Sequence, residues 1–274
     1  MESGINVETK PVLLISASDS SAAAGMQVDL RVLNDLGASA RCALTAVTIQ
    51  GDGGAISINP APPEVVSGSI NTAFSDSPGI GAVKVGLLGD INTAEALEGP
   101  LSKMSAAGIP IVVDPVMRST PGSVLASEGT ADAIVERVLP WTTLLTPNRV
   151  ELKALGKLIG DGGAEEERVI DLLMTSGNSA VLVTGGDTTE DQCLDTLYKT
   201  DGSKAEYYHP RIGDVAPRGT GCALSTAIAV YLGRGLSLSE SVGRGIDYVT
   251  GLIKQAERVG DQLLLFPGKK GSEF

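Results

Sequence analysis

The sequence predicts a doubly wound α/β fold, a mostly parallel central sheet with helices on both faces. Short apolar, β-rich runs alternate with segments of helical period along the chain. The connections are short, and no Pro/Ser linker, internal repeat or low-complexity tract breaks the alternation. In order, residues 12–15 (VLLI) read as a buried strand, and Met26, Leu30 and Leu33, at i, i+4 and i+7, mark a helix that stops near Gly37. Residues 42–47 are the next strand. Pro62-Pro63 open a helix carrying Val65, Val66, Ile70 and Phe74, since proline is tolerated in a first turn. Strand 82–85, helix 93–107 and strand 109–113 follow, then a helix-like 131–138, a short strand at 144–145 and a helical 150–158. A helix over 165–175 and a strand over 180–183 precede residues 194–199 and 205–209, which Asp201-Gly202 turns into an antiparallel hairpin. Two helices close the alternation, one with Leu224, Ile228, Tyr231 and Leu232, the other with Leu238, Val242, Ile246, Val249 and Ile253. The expected organisation is an N-terminal tail over 1–10, one domain over 11–267 and a polar tail over 268–274.

The 274 residues carry 21 Lys plus Arg against 33 Asp plus Glu, a formal net charge of -12. A negative field repels phosphate backbones, and aromatics at 3% offer few stacking surfaces, so nucleic acid is not an expected partner. No apolar run is long enough to span a membrane, and residues 1–10 do not resemble a signal peptide. A cytoplasmic protein without a membrane partner is expected. The single histidine, His209, excludes a multi-histidine zinc site and leaves a Ser-His-Asp triad one candidate. Three dispersed cysteines, Cys42, Cys193 and Cys222, make neither a disulfide framework nor a four-thiolate metal site. Chemistry must run on carboxylates, backbone amides, hydroxyls or a lone thiol.

In a doubly wound sheet ligands collect beyond the carboxyl ends of the strands, which singles out residues 16–25, 48–52, 113–117, 146–151 and 217–222. The last is the most informative. Gly219-Thr220-Gly221 lets the backbone approach a ligand, and its N–H groups at a helix start make an anion site. Cys222 in the first turn is expected to have a depressed thiol pKa. The same spacing equally describes a glycine-rich turn with a buried small side chain. Asp114, Asn148 and Glu151 are the available Mg²⁺ environment, because magnesium takes one or two carboxylates plus water and phosphate oxygens. Asp114 also reads as an Asp-Pro turn, and Asn148 with Glu151 as a reciprocal helix cap, which is compatible with a metal shell. His209, before Pro210, reads as a surface or turn residue, Cys42 and Cys193 as packing residues, and 165–167 as the start of a solvated helix. There is no Walker P-loop and no protein-kinase HRD or DFG set, so ATP would need another scaffold.

Six stretches occur together in order: Ser18-Asp19-Ser20-Ser21 with Ala24-Gly25, Leu44-Thr45-Ala46 with Gln50, Val83-Lys84-Val85-Gly86-Leu87-Leu88, Val113-Asp114-Pro115-Val116-Met117, Thr146-Pro147-Asn148 with Glu151, and Gly219-Thr220-Gly221-Cys222. As a set, covering roughly 11–256, the chain resembles the hydroxymethylpyrimidine (phosphate) kinases of thiamine biosynthesis, in the ribokinase-like superfamily that includes pyridoxal kinases. The resemblance implies ATP- and Mg²⁺-dependent phosphoryl transfer to the hydroxymethyl group of 4-amino-5-hydroxymethyl-2-methylpyrimidine, to its monophosphate, or to both. It implies Gln50 on the pyrimidine edge, Asp19 and Ala24 in the substrate pocket, and the amides of Gly219, Thr220, Gly221 and Cys222 at the transferring phosphoryl group. It further implies Cys222 as the base, Asp114, Asn148 and Glu151 around Mg²⁺, Thr184, Gly186 and Arg218 near ATP, and a homodimer.

The chain departs from that pattern at three places. Ala22-Ala23 stand where Gly-Gly is usual, so a positive φ there would strain an alanine. Thr184, in Val183-Thr184-Gly185-Gly186-Asp187, stands where a lysine is common. Arg218 replaces the histidine that usually precedes Gly-Thr-Gly-Cys, and is expected partly to restore the cation lost at Thr184. A pyridoxal-type kinase and a non-catalytic ligand-binding descendant are the competing readings.

Overall fold

The computed structural model describes residues 10–51, 54–76, 79–117, 128–163, 165–175, 177, 180–186, 191–213 and 216–268. Asp52, Asp187 and the expected tails, apart from Lys10 and Gly268, lie outside these residues. The strands are β1 (Val12–Asp19), β2 (Ala40–Gly51), β3 (Gly54–Pro60), β4 (Ala82–Val85), β5 (Ile111–Val113), β6 (Leu144–Leu145), β7 (Ala180–Val183), β8 (Gln192–Lys199), β9 (Lys204–Pro210), β10 (Glu257–Val259) and β11 (Gln262–Leu264). The helices are α1 (Gly25–Asp35), α2 (Pro63–Ser75), α3 (Ile91–Ala106), α4 (Glu128–Ala133), α5 (Arg149–Leu158), α6 (Glu166–Thr175), α7 (Thr220–Gly233) and α8 (Leu238–Lys254). One sheet runs in the order β3-β2-β1-β4-β5-β6-β7-β8-β9, and β10 and β11 form a separate antiparallel pair. Pairing is parallel from β2 through β7 and antiparallel at both edges. The chain reverses its direction of progress across the sheet between β1 and β4, which opens a crevice at their carboxyl ends.

Strand alternation explains the two layers. Leu13, Ile15, Val83, Val85, Ile111, Val113, Leu145, Val181 and Val183 belong to one buried cluster, together with apolar residues of α2, α3, α5 and α6. Val12, Leu14, Ala82, Val112, Leu144, Ala180 and Leu182 belong to the other, with α1, α7 and α8. Burial on both faces explains why these strands are continuous apolar runs. The expected amphipathic stripe of the first closing helix is replaced by unbroken burial from Ala223 to Val230 in α7, which packs on α1, α8 and the sheet at once. Its small residues Ala223, Ser225, Ala227 and Ala229 allow that close approach.

Several expectations are corrected. The helix-like 131–138 is not one α-helix: α4 ends at Ala133, and a π-turn over Ile134–Val138 leads into a 3-10 turn, Leu139–Trp141, that contains Pro140. β3, β10 and β11 were not signalled, being short or edge segments without buried alternation. Cys42 is exposed on β2, whereas Cys193 is buried as expected.

Cys42 shares the exposed side of β2 with Leu44 by ordinary alternation, and a bulge follows them. Ser16 of β1 faces Leu44, but Ser18 faces Val47, so β2 gains a residue at Thr45-Ala46, both buried. The extra residue reverses parity beyond it, so Val47 and Ile49 join Cys42 and Leu44 on the exposed side. It also turns Thr48 and Gln50 toward the crevice. Thr45 Oγ1 holds the distortion by donating to the Leu87 carbonyl at 2.6 Å.

Candidate active site

The crevice holds a cavity of about 270 Å³, lined by Ala24, Gln50, Asp114, Asn148, Glu151, Thr184 and the 216–222 segment. Asp19 lines an adjoining space shared with Ala24, Gln50 and Cys222. Gly186 lines a second adjoining cavity, shared with Thr184, Thr220 and Gly221 and walled by Ile212, Val249 and Ile253. The residues singled out in sequence thus converge on one connected region at the strand carboxyl ends.

Its centre is the start of α7. Gly219 caps the helix with φ 85°, and a Cβ there would stand 2.5 Å from the Ala23 carbonyl oxygen, so only glycine fits. Ala22, in the loop it touches, is the one non-glycine residue with positive φ among the described residues, at 56°. The strain expected for an alanine in the first loop is therefore real, and it falls on Ala22. The loop is tied by Asp19, whose Oδ1 accepts from the Ser21 amide at 2.8 Å and the Ser21 hydroxyl at 2.7 Å.

Cys222 does not have the depressed pKa expected from its place on α7. Burial pushes the thiol up to about 12, and Asp114 and Asp29 add to that. Lys84 and a hydrogen bond from the Gly25 backbone oppose the rise without overcoming it. Asp114 is 5% exposed and its carboxyl is raised as well, chiefly by burial, although Lys84 pulls it down. Ser225 Oγ reaches Asp114 Oδ2 at 3.4 Å. Asn148 and Glu151 form the expected capping box: Asn148 N donates to Glu151 Oε2 at 3.0 Å and Glu151 N to Asn148 Oδ1 at 2.8 Å. Among the described residues, no three His, Cys, Asp or Glu side chains are grouped to hold a metal ion.

Arg218, expected near ATP, lines the cavity with its buried guanidinium engaged by neighbouring side chains. Nη2 donates to Gln50 Oε1 at 2.9 Å and approaches Asp19 Oδ2 at 3.4 Å, while Nη1 donates to Gln262 Oε1 at 3.1 Å. Thr184 continues the β6–β7 pairing by donating its amide to the Pro147 carbonyl at 3.0 Å.

Three features escaped the sequence reading. Lys84 and Asp29 form a wholly buried ion pair at 2.8 Å beneath Cys222, with Thr226 Oγ1 donating to Asp29 at 2.8 Å. The signal was present, a lysine inside an apolar strand. His209 is not a simple surface residue: it is partly buried, with Nε2 3.3 Å from Asp195 Oδ2, and lines the apolar side cavity. The pairing raises its pKa. Gln262, on a hairpin the sequence did not signal, reaches the site through Arg218.

The fold is that of the ribokinase-like kinases, with a helix start, a thiol and carboxylates meeting at the topological switch. The phosphomethylpyrimidine kinase family model matches residues 19–265. The chain is 33% identical over 252 residues to the hydroxymethylpyrimidine/phosphomethylpyrimidine kinase of Rhizobium meliloti, covering 92% of this chain and 93% of that one. Among solved structures it resembles pyridoxal kinase from Staphylococcus aureus bound to pyridoxal, with TM-score 0.80, 28% identity, and 94% and 93% of the two chains covered. Phosphomethylpyrimidine kinase from Clostridium difficile 630 aligns with TM-score 0.73 and 26% identity over 88% of this chain and 98% of that one. The chain belongs to the phosphomethylpyrimidine kinase family.

Proposed function

We propose that the protein transfers the γ-phosphoryl group of ATP to the hydroxymethyl group of 4-amino-5-hydroxymethyl-2-methylpyrimidine, to its monophosphate, or to both. The observation that carries the reading is the meeting of the α7 start, Asp114, Cys222 and Gln50 around one cavity. The acceptor ring lies against Gln50 and Ala24, and the triphosphate reaches the amides of Gly219 to Cys222, where helix-start N–H groups stabilise charge developing on the phosphoryl oxygens. The acceptor oxygen attacks the γ-phosphorus, the bond to ADP breaks, and the hydroxyl proton passes to the thiolate form of Cys222, which becomes the neutral thiol. The nucleotide base takes the apolar cavity beside Thr184 and Gly186.

Magnesium fits the chemistry of the donor set. Asp114 and Glu151 line the cavity, and two carboxylates are what Mg²⁺ takes alongside water and phosphate oxygens. The Asn148–Glu151 cap holds the second carboxylate in position. When bound, the ion neutralises phosphate charge. Pairing Asp114 also removes a negative charge that opposes the thiolate of Cys222.

The test is ADP release with the pyrimidine alcohol, its monophosphate and pyridoxal side by side. Turnover of either pyrimidine above pyridoxal, falling on the order of a hundredfold or more in Cys222→Ala, is the expected result. Pyrimidine binding without ADP production would overturn it in favour of a non-catalytic descendant. A cytoplasmic setting goes with this reading, supported by three dispersed thiols. No helix among the described residues is long and apolar enough to cross a membrane. We further infer a homodimer, supported by the exposed apolar side chains of β2.

A further inference from the structure

We propose that Arg218 determines acceptor specificity: its guanidinium fixes which way the Gln50 amide faces, and with it the order of hydrogen-bond donor and acceptor that the pocket wall presents. The inference rests on the kinase reading above and deepens it by naming what selects the acceptor.

A guanidinium only donates, so the atom of Gln50 that meets Arg218 Nη2 at 2.9 Å must be the carbonyl oxygen, Oε1. The amide nitrogen is then turned to Thr48, where Nε2 donates to Oγ1 at 2.9 Å. Thr48 enforces the same sense, because its one hydroxyl proton goes to the Ser18 carbonyl at 3.1 Å and toward Gln50 it can only accept. Thr48 alone would be a weak guide, since its hydroxyl can rotate. Arg218 cannot reverse its role.

Arg218 is also held in place. It is 7% exposed, and Asp19 at 2% exposed pairs with it from the β1 end. Gln262 Oε1 accepts from Nη1, and the Arg218 amide donates to the Leu263 carbonyl at 3.0 Å. Swinging out to nucleotide phosphates would break contacts to three segments of the chain. Gln50 and Arg218 line the same cavity as Cys222, so this fixed amide faces the acceptor.

A freely flipping glutamine accommodates either order of donor and acceptor. A pinned one favours a single order, and a hydrogen-bonding site discriminates strongly when a wrong partner leaves groups unpaired. The aminopyrimidine places an exocyclic amine donor beside a ring-nitrogen acceptor next to its hydroxymethyl group. Pyridoxal places a carbonyl oxygen and a hydroxyl there. The pinned order is assigned to the aminopyrimidine class, and the ratio of the two acceptors reads that assignment directly.

The experiment measures kcat/KM for the aminopyrimidine alcohol and for pyridoxal, and KM for ATP, in wild type, Arg218→Met, Arg218→Lys and Gln50→Glu. Calorimetric titration of both acceptors without ATP and thermal melting accompany it. In Arg218→Met the aminopyrimidine-to-pyridoxal ratio should fall about tenfold, mainly through the acceptor KM, with KM for ATP steady. Arg218→Lys, still donor-only, should keep more of the ratio. Gln50→Glu, which offers only acceptors and leaves Arg218 a partner, should lose the ratio without needing the arginine removed. An unchanged ratio in folded Arg218→Met, an unchanged ratio in Gln50→Glu, or an effect confined to KM for ATP would each overturn the proposal. If wild type phosphorylates neither acceptor, the kinase reading fails on its own. The ratio of calorimetric affinities, expected to fall likewise, then decides the role of Arg218.

Discussion

Ala22 holds a backbone conformation, φ 56°, that costs an L-residue about 1–2 kcal/mol. The loop imposes it: the Ala22 amide donates to the Asp19 carbonyl at 2.9 Å, and its own carbonyl accepts from Arg31 Nη1 at 3.0 Å. Ala22→Gly should relieve the strain, while the greater freedom of glycine in the unfolded chain returns part of the gain. The expected net stabilisation is below about 1 kcal/mol, read as a rise in melting temperature; a lower melting point would show that the methyl is needed for packing. Conflict in this loop was legible from Ala22-Ala23, but only the turn geometry shows which alanine bears it. Cys222 is the opposite case. Its place on a helix start was legible, yet the thiol sits high, near 12, because burial outweighs the helix dipole, and burial comes from segments distant in sequence. An acid whose pKa lies above the assay range gains thiolate about tenfold per pH unit. If Cys222 is the base, log kcat should therefore rise with pH above neutrality and lose that rise in Cys222→Ser. A flat wild-type profile would remove the thiol from the proton transfer.

Among elements, β4 shows how a correctly read strand can conceal its most consequential contact. Its expected bounds, 82–85, coincide with Ala82–Val85. Alternation sends Val83 and Val85 to one layer and Lys84 to the other, where α1 and α7 pack. There Asp29 of α1, 55 residues away in sequence, receives Nζ, and Thr226 of α7 completes the carboxylate's hydrogen bonds. Lone charges in such a place are costly, so Lys84→Met should destabilise by about 3–5 kcal/mol. Lys84→Met combined with Asp29→Asn removes both charges and leaves Thr226 an acceptor, so much of that loss should return. Urea denaturation of the single and double variants measures the coupling. Additive losses would mean that each residue acts through packing alone. The central strands and most helices were legible because burial on both faces leaves a strong apolar pattern. β3, β10 and β11 were not, because exposed edge strands need no such pattern, and through Gln262 one of them touches the site.

At the scale of the whole molecule, the unresolved balance is the exposed side of β2. Leu44, Val47 and Ile49 are 38%, 46% and 49% exposed and stand in line with Cys42, because the bulge at Thr45-Ala46 keeps them on one side. Single exposed apolar residues are ordinary, but an aligned run on one strand is the surface that association removes from water. The net charge of -12 opposes close approach of two copies, so an apolar contact would have to outweigh it, and added salt should favour assembly by screening. Sedimentation velocity of the wild type should give twice the monomer mass. The double variant Leu44→Lys, Val47→Glu adds charges of both signs to the stripe while keeping overall charge unchanged, so any shift to monomer comes from lost apolar contact rather than net repulsion. Its substitutions lie on the side of β2 away from Thr48 and Gln50, so the variant should still bind the aminopyrimidine. A monomeric wild type across salt concentrations would remove the dimer. A variant that stays dimeric would move the contact to another face.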